Sequence, residues 1–304
     1  MNPIVMALPG SEALARVLAA ELGGETGALA CRQFPDRETL VRLDADVRGR
    51  SVVLAASLDR ADDKTLPLLF AADAARDLGA ACVVLAAPYL GYMRQDARFH
   101  PGEAITSRTF AALLSRSLDG LATVDPHLHR YRSLDEIYTI PSRVVRSAPA
   151  IAQWIRDNVP DPVLVGPDSE SEQWVADVAG RCGAPWTVLQ KTRRGDRDVE
   201  VSLPDATQWR QRTPVLVDDI VSSARTMIEA AAGLRLCGMP PPVCIGVHAV
   251  FAAGAYEELL ASGVARVVTC DTVPHPSNGI PVVPALAAGV RELLAGRVAP
   301  QPLP

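Results

Sequence analysis

The run VLVDDIVSSART, Val215 to Thr226, sets two adjacent carboxylates, Asp218 and Asp219, behind an apolar stretch. A short series of mostly small residues follows, Ser222, Ser223, Ala224, Arg225 and Thr226, and leads into a helical pattern. The apolar stretch reads as a strand, and in open α/β sheets ligands lie at the carboxyl ends of strands. Backbone N–H groups and hydroxyls at such a helix start can surround a phosphate, and carboxylates beside it can accept sugar hydroxyls. The chemistry on offer is the binding of a ribose phosphate. The same residue types also serve as a helix N-cap with no ligand.

Other segments carry groups of similar promise, each with a plainer reading beside it. In PYLGYMRQDARF, Pro88 to Phe99, Arg94 offers a fork of donors for phosphate oxygens, and Tyr89 and Tyr92 could pack beside a base. An exposed basic loop with core tyrosines would look the same. VDPH, Val124 to His127, presents an imidazole with His129 two residues on, and spacing does not separate a ligand from a structural histidine. Asp168 and the run Ser169, Glu170, Ser171, Glu172 precede a helix, where acids also suit the dipole. QKTRRGDRDVEV, Gln190 to Val201, is cation-rich, and its Gly195-Asp196 pair also suits a solvated hairpin. Neither a GxxxxGK[ST] nor a GxGxxG run is present.

These segments need a scaffold, and the apolar pattern describes one. SVVLAAS, DKTLPLLFAADAARDLG and ACVVLAAPY alternate strand and helix, as do PVLVDD, SARTMIEAAAGLRLCG ending at Gly238, and PVCIGVHAVF. The expected fold is α/β, two tandem domains, each a mostly parallel sheet flanked by helices. TIPSRVVRSAP interrupts the periodicity between Ile140 and Pro149, before a helix over Ala150 to Asn158. The domains are therefore set at 1–145 and 146–304, with the extreme C-terminus free to pack on the first and the tail VAPQPLP loose.

Bulk properties bound the partners. The 304 residues are 48% hydrophobic and 21% charged, with net charge -5 and pI near 5.6. That leaves no broad basic field for nucleic acid or an anionic membrane, so anions must be held by local devices. Six cysteines lie scattered without metal-ligand spacing, as buried free thiols in a reducing compartment would. The N-terminus has no leader pattern and no stretch reaches spanning length without charge. The expectation is an unprocessed, soluble, cytoplasmic protein.

Taken together the motifs resemble those of type I phosphoribosyltransferases and, within that superfamily, the ribose-phosphate pyrophosphokinases. VLVDD with its loop looks like the phosphoribosyl-binding motif. The segment with Arg94, Gln95 and Asp96 resembles the family's ATP-contacting stretch, which ordinary phosphoribosyltransferases lack. FPDRE, with Phe34, Asp36, Arg37 and Glu38, is similar to the Phe-x-Asp-Gly-Glu segment that lies against adenine bound by a neighbouring subunit, with Arg37 in place of glycine. VDPH stands where the family has Asp-Leu-His, which assigns His127 to magnesium and triphosphate with Asp125 nearby. Asp168 matches the aspartate that assists metal binding, while Ser169 to Glu172 replace the glycines of the pyrophosphate loop. Lys191 and Arg193 match the Lys-x-Arg pair of the catalytic loop. HAVFAAGAYEELLASGVARVVTCDTVP resembles the family's closing region, so the likeness runs from about Phe34 to Pro284.

That resemblance implies ATP + D-ribose 5-phosphate giving AMP + 5-phosphoribosyl 1-diphosphate, with Mg2+ as cofactor and in-line attack of the C1 hydroxyl on the β-phosphorus. Lys191, Arg193 and His127 would be the catalytic residues. Asp218, Asp219, Ser222, Ser223, Ala224, Arg225, Thr226 and Arg193 would hold ribose 5-phosphate. A homo-oligomer, dimer or hexamer of dimers, follows from the shared ATP site. DARFHPGEAITSR lacks much of the basic pattern of phosphate-activated, ADP-inhibited members and looks closer to archaeal forms. The alternatives are a phosphoribosyltransferase consuming the diphosphate, against which RQD and FPDRE argue, and a non-catalytic regulatory member, suggested by Glu170 and Arg225. Lys191 and Arg193 argue against the second.

Overall fold

The computed structural model describes residues 2–167, 171–194, 198–202 and 206–296. The chain forms two units, one taking it through Arg146 and again from Val283, the other Ser147–Val282.

In the first unit, short apolar runs become strands and the alanine- and leucine-rich segments between them become helices. The order is β1 (Ile4–Ala7), α1 (Glu12–Leu22), β2 (Glu25–Gln33), β3 (Thr39–Asp44), β4 (Ser51–Ala55), α2 (Ala61–Asp77), β5 (Cys82–Ala87), α3 (Thr106–Ser117), β6 (Gly120–Val124) and β7 (Ser142–Val145). They form a seven-stranded sheet in the order β3-β2-β1-β4-β5-β6-β7. All pairs are parallel except β2 with β3, a hairpin whose tip carries Phe34 to Glu38. Parallel neighbours need a crossover, which α1, α2 and α3 supply. Val52, Leu54, Val83 and Leu85 are fully buried, as strands covered on both faces must be, and each such leucine contributes roughly 2 kcal/mol.

The second unit runs α4 (Ala148–Asn158), β8 (Pro162–Gly166), α5 (Glu172–Cys182), β9 (Trp186–Val188), β10 (Gln190–Arg194), β11 (Asp198–Ser202), α6 (Ala206–Trp209), β12 (Thr213–Val221), α7 (Arg225–Leu236), β13 (Val243–Ala249), α8 (Ala255–Ala261), β14 (Arg266–Cys270) and β15 (Asn278–Ile280). Its six-stranded sheet has the order β15-β14-β13-β12-β8-β9, all parallel, and β10 with β11 makes a separate antiparallel ribbon. The strand order reverses across the sheet between β8 and β12. A crevice opens at such a switch point, beyond the strand ends.

The last helix, α9 (Val283–Ala295), buries Leu286, Ala287, Val290 and Leu293 and packs against α1, β6 and β7. Arg143 Nε donates to Glu292 (2.9 Å) and Arg291 to the Glu21 carbonyl (2.7 Å). The second domain read as 146–304 thus gives up its final helix to the first unit, because the apolar face of α9 finds its cover there. Two parallel-sheet units flanked by helices, the expected class, are what the chain forms.

Gly246 on β13 lies in register with Asp218 on β12, and a Cβ there would sit 2.5 Å from Val221 Cγ2. Valine is stiff at χ1, so the strand pair itself must shift. Gly246→Ala is expected to cost about 1–3 kcal/mol, lowering the thermal midpoint by several degrees. An unchanged melting curve would show that the β12–β13 approach is looser than this.

Candidate active site

β12 carries the principal feature. Val215, Leu216 and Val217 are fully buried, and then the side chains turn polar and half-exposed at Asp218 and Asp219. Both carboxylates lie within the strand rather than beyond it, since pairing with β13 continues through Ile220↔His248 and Val221↔Ala249. The PVLVDD pattern stops at Asp219, two residues short of the strand's end at Val221, because the ladder depends only on the backbone. The Asp219 N–H donates to Asp218 Oδ1 (3.0 Å).

The turn that follows is tight. The Ser222 carbonyl accepts from the Ala252 N–H (3.1 Å), and Ala224, buried at φ 57°, occupies the N-cap of α7 without a side-chain cap. No acid stands in the first turn. Ala224 itself brings no capping oxygen, and the first N–H groups of a helix, which have no partner within it, point where an anion can bind. Ser223 and Arg225 are exposed, and Ser222 and Thr226 half-buried.

Phe251, Tyr256 and His275 cluster just past the ends of β13 and β14, with ring centroids 4.7–5.3 Å apart. Burial pushes the His275 imidazole below its usual range, against the opposing pull of Glu257. No local spacing signals this group, whose members come from three separate segments.

In the first unit, a cavity of about 350 Å³ is lined by Arg94, Gln95, Ala97, Phe99, Glu103 and Ala104. Gln95 is fixed by the Thr106 hydroxyl on its Oε1 (2.6 Å) and by the Ser107 hydroxyl on its carbonyl (3.0 Å). Glu103 Oε2 accepts from the Phe99 and His100 N–H groups, both at 3.0 Å. Asp96 is turned inward, its side chain 1% exposed and 2.7 Å from Arg130 Nη1. A larger cavity, about 450 Å³, lies beside Tyr89 and Tyr92, but Asp59, Asp62 and Asp63 line it. Arg60 faces three carboxylates there, whereas Arg94 in the smaller space faces only Glu103, so the smaller space is the less repulsive to a polyphosphate. Tyr92 packs on Phe110 (centroids 4.7 Å apart) and hydrogen-bonds Asp62, so its ring is committed to the fold.

At the β2–β3 tip, Arg37 holds φ 74°, a backbone region that favours glycine. The Glu38 N–H donates to Asp36 Oδ1 (3.1 Å), and the Arg32 guanidinium lies 4.7 Å from the Phe34 ring centroid. After β6, Asp125 (φ 31°) and His127 (φ 52°) both depart from ordinary backbone regions. The His127 N–H donates to the Asp125 carbonyl (2.8 Å), and the His127 and His129 rings stand 3.9 Å apart. Such strain persists only where the surroundings impose it. Here Asp125, 5% exposed, is held by Arg146 (3.4 Å), a partner no motif points to.

Residues 4–117 match the family described as the N-terminal domain of ribose phosphate pyrophosphokinase, and residues 133–288 match the phosphoribosyl transferase domain. Ribose-phosphate pyrophosphokinase from Methanopyrus kandleri is 34% identical over 292 residues, covering 95% of this chain and 99% of the relative. The enzyme of that name from Halobacterium salinarum is 34% identical over 279 residues, 91% and 96% of the two chains. The crystal structure of phosphoribosylpyrophosphate synthetase from Mycobacterium smegmatis superposes with a TM-score of 0.84 at 24% identity, covering 97% of this chain and all of that one. The chain belongs to the ribose-phosphate pyrophosphokinase family.

Within that family the departures acquire a physical reading. Arg37, where the resemblance expects a glycine, holds a left-handed backbone of the kind glycine favours. The cation-rich segment from Gln190 forms the β10–β11 ribbon, with Lys191 opposite Val201 and Arg193 opposite Val199 in its backbone register. Asp168, Ser169 and Glu170 lie outside the described residues, as do Gly195, Asp196 and Arg197. The six cysteines carry no disulfide, and burial raises the Cys244 thiol to about 12.

The left-handed Ala224 is the joint between β12 and α7. Ala224→Gly is expected to hold or raise stability by up to about 1 kcal/mol, whereas Ala224→Val costs about 2 kcal/mol or more. Denaturant titration of the two variants checks this, and a valine variant as stable as the parent would contradict it.

Proposed function

We propose that this enzyme transfers the β,γ-diphosphoryl group of ATP to the C1 hydroxyl of D-ribose 5-phosphate, giving 5-phosphoribosyl 1-diphosphate and AMP for nucleotide biosynthesis. The observation that carries the reading is the β12–α7 junction, where two carboxylates precede an uncapped helix start on a left-handed turn. Asp218 and Asp219 accept the ribose hydroxyls, and Ser222, Ser223, Ala224, Arg225 and Thr226 hold the 5-phosphate with Arg193. Arg94 and Gln95 hold ATP in the first unit, with Phe34, Asp36, Arg37 and Glu38 supplied to a neighbouring subunit of a homo-oligomer.

No covalent intermediate is needed, so catalysis rests on alignment and charge neutralisation. Lys191 and Arg193 stabilise charge as AMP departs. His127 and Asp168 would hold magnesium. That ion prefers oxygen and takes only one or two protein ligands beside water and phosphate. His127 offers a half-exposed imidazole, and Asp168 lies outside the described residues. When bound, the ion supplies charge neutralisation on the phosphates.

A phosphoribosyltransferase that consumes the diphosphate would share the β12–α7 junction, but it has no use for an arginine-lined cavity in a separate N-terminal domain. No described helix is long and apolar enough to cross a membrane. The free thiols suit a reducing cytoplasm.

The purified chain should release AMP from ATP only when ribose 5-phosphate and magnesium are both present, read by a coupled AMP assay. AMP release independent of ribose 5-phosphate, or none at all, would overturn the assignment.

A further inference from the structure

Asp96 is the buried acid of the ATP segment, and its surroundings give it a part other than touching nucleotide. Its side chain is 1% exposed, and Oδ1 accepts from Arg130 Nη1 at 2.7 Å. Its other oxygen, Oδ2, is buried without a hydrogen-bond partner. The Arg130 contact is therefore what compensates the charge. Arg130 lies on the loop that carries His127, 34 residues further along the chain.

The next residue repeats the tie. The Tyr131 hydroxyl lies 3.3 Å from the Asp96 carbonyl and 3.1 Å from Ser107 Oγ, and Ser107 in turn donates to the Gln95 carbonyl. The Arg130 guanidinium also lies 5.0 Å from the centroid of Phe99, one wall of the cavity that Arg94 and Gln95 line. One loop thus grips the nucleotide segment at its buried acid, its backbone and its cavity wall.

We propose that Asp96 and Arg130 are a positioning pair, fixing the Arg94–Gln95 segment against the His127 loop so that triphosphate and metal are presented together. This rests on the assignment of ATP to that cavity. Neither side chain need touch substrate. Arg130 is half-exposed, so the pair is not simply core, and a fork rather than a point charge suits the contact.

The test is a cycle of Arg130→Met, Asp96→Asn and the double variant, read as the Kd for magnesium-ATP by calorimetry and as KM for each substrate. Each single change should weaken magnesium-ATP binding and raise its KM by about tenfold or more, the scale set by small displacements of positioning groups. KM for ribose 5-phosphate should move less than about twofold, and the double variant should be no worse than the worse single, since both remove one interaction. Arg130→Lys, which keeps the charge, should recover part of the loss and serves if Arg130→Met does not fold. Unchanged ATP affinity in folded variants, parallel loss for both substrates, or additive effects would overturn the pairing. A wild-type chain that binds ATP yet releases no AMP sinks the functional assignment alone, because the binding cycle can still be read. One that binds no ATP sinks both.

Discussion

A parallel strand covered on both faces admits solvent-facing charged side chains only toward its end. That constraint decides where this protein can do chemistry. In β12 the transition is abrupt, from fully buried Val217 to half-exposed Asp218 in one residue. The crossover helix must then begin within a few residues, and its first N–H groups have no partner in the preceding turn. The chain satisfies this with Ala224 in a left-handed conformation rather than with a capping side chain. A capped helix would be the more stable element alone, by about 1 kcal/mol. Leaving it uncapped keeps the donors available for an anion.

The first unit meets the same constraint differently. Its strand ends carry the strained Asp125–His127 turn after β6 and the Arg94–Asp96 segment after β5. Both need outside support, the first from Arg146 on Asp125 and the second from Arg130 on Asp96. Each is a buried carboxylate answered by a partly exposed arginine. Removing the arginine from such a pair weakens the support of a carboxylate held away from water. The two ion pairs therefore fix loop geometry more firmly than surface pairs such as Arg42–Asp44, whose worth is about 0–1 kcal/mol.

The fold was legible because apolar runs such as SVVLAAS and PVLVDD mark strands wherever both faces are buried. The β12–α7 junction was legible in residue type, and its geometry was not. The strand runs past the PVLVDD pattern to Val221 through backbone pairing, which side-chain pattern does not report, and φ 57° at Ala224 leaves no trace in an alanine. The same holds for Arg37, whose φ of 74° an arginine side chain does not announce. Asp96 reads as a ligand because it follows Arg94 and Gln95. Its inward turn depends on Arg130, which no local spacing connects to it. The return of the C-terminus to the first unit was allowed for, but that it takes the whole of α9 was not legible, since an amphipathic helix does not name the sheet that covers it.

The claim on which the rest depends is that the uncapped turn before α7 holds the phosphate of ribose 5-phosphate. Ser223 is exposed in that turn, so Ser223→Asp places a carboxylate beside the phosphate with little effect on the fold. Calorimetric titration with ribose 5-phosphate should show affinity reduced by at least about tenfold through like-charge repulsion, with ATP binding unchanged. Ribose 5-phosphate binding that matches the parent protein would contradict it.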